Sequence, residues 1–389
     1  MKKKNNNSAK TDSIYRKLQR HLNTLPIGYP QTDSGVELRL LKYIFTPKEA
    51  EIAIKLRFIP DPIESIYRRV KKQINSIEEL EKILYSMYEK GGIRIKHSMV
   101  DNKKKILYQN AFLAVGMFEY QVKRLTKEYF EDFLQYMDEA YLDELVSTKI
   151  NQLRTIPVEQ SIDVDHNIAS YDQLETLLEN ASRISIMPCV CRKGQDLIGE
   201  PCHQTEMRET CFVLNDSVEH VLELGWGREI TKDEAREIFK KVQEDGLIIQ
   251  PGNALDPSYI CCCCGCCCCV TTNLKKLERP WEMITTNYFA EVDSDLCIGC
   301  GTCIERCQMD AITMIDSVAQ VNKKCCIGCG NCVQTCPESA LILKKKEKEL
   351  SPPKNNTELY LKIMDKKAKL RRIEKGTEKN KRDRSYGKK

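Results

Sequence analysis

Apolar residues between Ser13 and Tyr120 recur first at helical spacing and then at strand spacing. Thr46-Pro47-Lys48-Glu49 combines an N-cap residue, a proline at the first helical position and a capping-box glutamate, so a helix is predicted to start there. A second helix is predicted over Ile63 to Val70, and Ser76-Ile77-Glu78-Glu79 opens a third that ends at Gly91-Gly92. Ile93-Arg94-Ile95 and Ile106-Leu107-Tyr108 then flank a lysine-rich turn, as two hairpin strands would. Residues 121–150 place Leu125, Phe130, Phe133, Leu134, Met137, Tyr141 and Leu145 among acidic residues, which predicts an amphipathic helical connector. The polar stretch Glu159 to Ser170 reads as a linker. Beyond it, Ile184 to Met187 forms a strand, Thr231-Lys232-Asp233-Glu234 caps a helix that stops at Gly246, and Leu247-Ile248-Ile249 is apolar again. Strands near Tyr288 to Val292 and Ala340 to Leu343 are expected to pair.

Three helices followed by a hairpin look like a winged helix, a form that often binds DNA. The presumed recognition helix carries Glu78, Glu79, Glu81 and Glu89 against Lys82 and Lys90. Acidic side chains are repelled by phosphates, so protein docking is the expected role of residues 13–120.

Charge divides the chain further. The net charge is +5, yet Lys344 to Lys389 alone holds 18 basic against 7 acidic residues, and four lysines lie in the first ten positions. With Pro352-Pro353, Asn355-Asn356 and few large apolar residues, the tail 346–389 is expected to be largely disordered, as is the basic start 1–12. No stretch approaches the roughly 18 apolar residues of a membrane span. MKKKNNNSAK has no apolar core of a secretory signal, so a cytoplasmic location is expected.

Cysteine changes the picture most. The chain has 21, none before Cys189. One pattern occurs twice: Cys297-Ile-Gly-Cys300-Gly-Thr-Cys303-Ile-Glu-Arg-Cys307 and Cys326-Ile-Gly-Cys329-Gly-Asn-Cys332-Val-Gln-Thr-Cys336-Pro337. Three thiols at this spacing, on a loop kept compact by glycine, can wrap three irons of a cubane. These residues resemble bacterial-type ferredoxins with two [4Fe–4S] clusters, over about residues 286–344. The resemblance implies that Cys297, Cys300, Cys303 and Cys336 hold one cluster and Cys326, Cys329, Cys332 and Cys307 the other. Gln308 stands where the pattern has the proline that Pro337 supplies in the second copy. Cys325 occupies the repeat position of Leu296 and reads as a small hydrophobe.

A second cysteine block lies in residues 171–283. Pro188-Cys189-Val190-Cys191-Arg192 is followed by Cys202 and Cys211, then by eight thiols in the nine residues Cys261 to Cys269. Neighbouring side chains on an extended backbone point to opposite faces, so one cluster cannot use all eight. Cys189, Cys191, Cys202, Cys211, Cys261, Cys263, Cys264, Cys266, Cys267 and Cys268 are the candidate ligands of at least one further iron–sulfur cluster. Zinc and a redox-active thiol site are the alternatives. The arrangement resembles a broad family of ferredoxin-type proteins of anaerobic bacteria and archaea, with a winged-helix-like start, a P-C-x-C-R segment and a CC-x-CCC block.

The expected fold is therefore α+β and multidomain: a winged-helix-like domain (13–120), a connector and linker (121–170), a cysteine-rich α/β module (171–283) and a two-cluster domain (284–345). No phosphate loop, dinucleotide fingerprint or H-x3-H pair occurs. The expected function is single-electron relay to or from a redox partner protein, as an electron carrier or oxidoreductase subunit rather than a stand-alone enzyme. The alternative is a redox-sensing transcription regulator.

Overall fold

A computed structural model describes residues 2–100, 103–158 and 172–386. The expected linker at Glu159 to Ser170 and the tip of the hairpin turn lie outside the described residues.

The first region is built from helices α1 (Lys2–Leu22), α2 (Val36–Ile44), α3 (Pro47–Ala53), α4 (Ile63–Val70) and α5 (Ile77–Glu89). The Thr46–Glu49 capping box is complete, and Ser76 caps α5 by accepting from the Glu79 N–H. Strand β1 (Asp61–Pro62) pairs with β3 (Lys103–Asn110), which pairs with β2 (Ile93–Val100) in the order β1-β3-β2, with Ile95 opposite Tyr108. Helices α6 (Lys127–Tyr136) and α7 (Leu142–Val146) complete this region. Phe130, Phe133, Tyr136 and Tyr141 are buried in one core with Leu18, Leu40, Leu84 and Phe112. The stretch expected to be a connector is thus part of the first core, because its aromatic face has the α2 surface to cover.

The middle region comprises α8 (Leu174–Asn180), β4 (Ile184–Pro188), α9 (Val190–Ile198), β5 (Glu209–Leu214), α10 (Val218–Glu223), β6 (Arg228–Ile230), α11 (Lys232–Glu244), β7 (Ile248–Pro251), β8 (Tyr259–Cys263) and α12 (Cys269–Leu274). Its five strands form an antiparallel sheet in the order β6-β4-β5-β8-β7. Side chains alternate across it: Ile249 and Cys262 enter one core with Phe212 and Phe239, while Ile248 and Cys263 enter another on the opposite face.

That opposite face is covered by the C-terminal module. Strand β9 (Tyr288–Val292) pairs antiparallel with β12 (Leu341–Lys345), and β10 (Ile312–Ile315) with β11 (Val318–Val321). Two short helices, α13 (Thr302–Arg306) and α14 (Asn331–Gln334), each follow a glycine with positive φ, Gly301 and Gly330. Tyr288, Ile327 and Leu343 share a core with Ile248, Cys263 and Cys268, so the module is fused to the sheet.

Two expectations of disorder are corrected. Helix α1 begins at Lys2, within the stretch expected to be a disordered start. The tail forms α15 (Asn356–Tyr386), and Leu359, Tyr360 and Ile363 are buried in the first core. The Tyr360 and Phe112 ring centroids lie 4.5 Å apart, and Lys367 pairs with Glu144 where both are largely buried. Apolar residues at i, i+1 and i+4 suffice to dock one face of a helix whose other faces are charged. No helix among the described residues is long and apolar enough to cross a membrane.

Candidate metal centres

All 21 cysteines are free thiols, and the structure gathers most of them into four sets. In the C-terminal module, Cys297, Cys300, Cys303 and Cys336 line one small cavity, and Cys307, Cys326, Cys329 and Cys332 line another. The long-range member of each set, Cys336 or Cys307, comes from the other copy of the repeat. Backbone N–H groups point at the sulfurs in matched pairs: Ala319 donates to Cys297 (3.4 Å) and Ala290 to Cys326 (3.3 Å), Ala311 to Cys307 (3.3 Å) and Ala340 to Cys336 (3.2 Å). Gly299 and Gly328 have positive φ, and a Cβ on either would overlap the backbone of Ser317 or Tyr288. Four convergent sulfurs, a void between them and N–H donors to the sulfurs suit an iron–sulfur cluster.

The two sets differ in setting. Cys300 is exposed, beside Leu296 and Ile298, which are 50% and 63% exposed. The second set faces the middle sheet, where the Asn331 amide donates to the Gly246 carbonyl (2.7 Å), the Val158 N–H to the Cys329 carbonyl (2.9 Å) and the Arg306 guanidinium to the Gln243 carbonyl (2.7 Å).

A larger cavity, of about 110 Å³, lies between the middle sheet and α6–α7. Seven of the ten candidate thiols border it: Cys189 and Cys191 from the β4–α9 junction, Cys211 from β5, Cys261 and Cys263 from one face of β8, Cys264 just after it, and Cys268. Cys189 and Cys268 hold N-cap positions of α9 and α12. Each of these thiols feels the next in the order Cys189, Cys191, Cys268, Cys263, Cys261, Cys211. Their acidities alternate. The neighbouring thiols lower Cys189 to about 7 and hold Cys268 and Cys261 well below the usual thiol range. Neighbouring thiols and burial raise Cys191, Cys263 and Cys211.

Two further groups face this cavity that sequence reading passed over. Arg192, 1% exposed, donates to the Thr210 hydroxyl and, at 3.0 Å, to the Cys262 carbonyl. Burial opposes its charge, but Cys189, Cys264 and Cys202 hold it protonated. Glu119 accepts from the Gly116 N–H (2.6 Å), and burial raises its carboxyl to about 8, so it carries a proton at neutral pH. The arginine was visible as the last letter of the P-C-x-C-R segment; no local signal marks Glu119.

The other three candidates lie away from the cavity and form a second set with Cys264, which touches both. Cys202, Cys264, Cys266 and Cys267 converge so that all four sulfurs lie within 4.8 Å of one another. A turn over Gly265 to Cys267 follows β8. Gln204 and Thr205 tie the Cys202 loop to Asp245 at the end of α11.

Residues 290–348 match the family model of the 4Fe-4S dicluster domain, which covers the C-terminal module and both of its cysteine sets. Searches of curated proteins and of solved structures return no match for the chain. The dicluster match and the thiol sets together point to iron–sulfur electron transfer.

Proposed function

We propose that the protein is an electron carrier or oxidoreductase subunit that serves a partner oxidoreductase. In this reading Cys297, Cys300, Cys303 and Cys336 hold one [4Fe–4S] cluster and Cys326, Cys329, Cys332 and Cys307 a second. Cys189, Cys191, Cys211, Cys261, Cys263 and Cys268 supply the ligands of a further iron–sulfur cluster. When bound, such clusters take up and release single electrons.

The observation that carries the reading is the order of the three sets: exposed Cys300, the second quartet against the middle sheet, and the thiol-lined inner cavity, whose Cys263 and Cys268 share a core with Cys326 and Cys332. The N–H donors to the sulfurs favour the reduced, more anionic state, and the apolar walls from Leu142, Leu145 and Ile284 exclude water. Arg192 offsets the negative charge of the inner thiolates. So many free thiols accord with a reducing, cytoplasmic setting.

The helical first domain, read as winged-helix-like, then serves docking. Glu78, Glu81 and Glu89 on α5 are exposed, which disfavours contact with nucleic acid.

Iron and sulfide analysis of the anaerobically purified full chain tests the proposal. About twelve irons are expected, and about eight in a Cys189→Ser/Cys191→Ser variant that keeps the dicluster signals. About eight irons in both proteins would remove the third cluster, and fewer than about eight in the intact chain would remove the ligand assignment.

A further inference from the structure

The four sulfurs of Cys202, Cys264, Cys266 and Cys267 are too close together for the chemistry assigned to the other sets. Cys202 Sγ lies 3.8 Å from Cys264 Sγ and 3.6 Å from Cys266 Sγ, and Cys266 Sγ lies 3.6 Å from Cys267 Sγ. A single metal ion with bonds of about 2.3 Å to four thiolates at tetrahedral angles sets neighbouring sulfurs about 3.8 Å apart. A cubane holds its thiolates wider, because a whole block of four irons and four sulfides stands between them.

The molecule contains its own comparison. Neither quartet of the dicluster domain converges this tightly among the described residues, and both enclose a void. We propose that Cys202, Cys264, Cys266 and Cys267 form a mononuclear tetrathiolate site for a zinc ion, separate from every iron–sulfur site of the chain.

Tetrahedral all-sulfur coordination selects zinc or iron–sulfur clusters among the common metals, and the spacing removes the cluster. Four ligands close the coordination sphere and leave no position for a substrate, so the role is structural. Three ligands come from one turn around Gly265, and the fourth comes from a loop more than fifty residues earlier. The ion therefore clamps the Cys202 loop to the end of β8, and the thiols release their protons to solvent as it binds. Arg192, bound to the Cys262 carbonyl beside the quartet, offsets the charge that the sulfurs add.

This inference rests on the separation of the middle thiols into two sets, and its test is read in zinc, whereas the relay is read in iron. The full chain is purified anaerobically from cells grown with both metals, then analysed for zinc, iron and sulfide and by X-ray absorption at the zinc edge. The expected result is about one zinc per chain with an all-sulfur shell at about 2.3 Å. A Cys202→Ser/Cys266→Ser variant should lose the zinc and keep its iron, and Cys189→Ser/Cys191→Ser should keep the zinc while losing iron.

Loss of about four irons from the Cys202→Ser/Cys266→Ser variant would overturn the proposal in favour of a cluster. One iron in place of zinc would overturn the choice of metal. An intact chain without zinc, or with nitrogen or oxygen in the zinc shell, would overturn it as well. The absorption measurement on the intact chain decides even where a variant fails to fold.

Discussion

Gly265 donates its N–H to the side-chain oxygen of Gln308 at 2.7 Å, joining the middle of the eight-thiol run to the residue that follows Cys307 in the dicluster domain. Proline at position 308 could not make this contact. The departure of Gln308 from the ferredoxin pattern is therefore a docking residue, buried at 6% exposure.

Gln308→Ala should leave the Gly265 N–H without its partner at a cost of about 1–3 kcal/mol, without removing a metal ligand. Gly265→Ala should cost more, since its Cβ would overlap the Gln308 carbonyl. Thermal melts with parallel iron analysis check both. Unchanged melting in Gly265→Ala would show that the two modules are not held by this contact.

Arg192→Met should destabilise the middle region by about 3–5 kcal/mol, because it strips the buried thiolates of their cation. In the loaded protein it should also lower the reduction potential of the middle site, since an added electron then meets less positive charge. Arg192→Lys keeps the charge with fewer donors and should fall between the two. Anaerobic denaturation and potentiometric titration measure these effects; a potential indifferent to Arg192→Met would place the redox site elsewhere.

Tyr88 on α5 lies with its hydroxyl 2.8 Å from Nδ1 of His220 and 3.1 Å from Oε2 of Glu223, bridging the first and middle regions. Burial, with Arg94 and His97 nearby, pushes His220 from the ordinary 6.5 down to about 4. The unfolded chain takes up the proton first as pH falls. The contribution of neutral His220 is thus complete above about 6.5 and declines as pH drops toward about 4. His220→Asn should lose that slope, so the two melting curves should converge on acidification; curves that stay parallel would refute it.

Ending the chain after Asn355 should destabilise the first core by several kcal/mol, because Leu359, Tyr360 and Ile363 each contribute about 1.5–3 kcal/mol by burial. Ending it after Ile373 should be close to neutral. Thermal unfolding of the two truncations distinguishes a docked helix from a solvated tail.

These contrasts show where sequence was informative. The caps at Thr46, Ser76 and Thr231 were legible because donor and acceptor lie three residues apart. The dicluster domain was legible because each of its cysteine runs is one short loop. Helix α15 was missed because its apolar residues, of which Leu359, Tyr360 and Ile363 dock, are diluted by lysines over its length. The split of the middle thiols was missed because it depends on which face of β8 each side chain takes, and on a turn that only tertiary packing against Gln308 fixes.

In β8 and the turn after it, Cys261 and Cys263 border the inner cavity, Cys266 and Cys267 belong to the tight quartet, and Cys264 lies in the quartet at the cavity's edge. A slip of one residue along such a strand exchanges its faces. Within a run of identical residues, that exchange leaves thiols at most positions and changes only their count on each side. The identity of the residues therefore does not hold the register; Tyr259, Ile260 and Gly265 at its ends do. A single-cysteine deletion would act as a reading-frame error in space, moving a ligand from one centre to the other while leaving the composition almost unchanged.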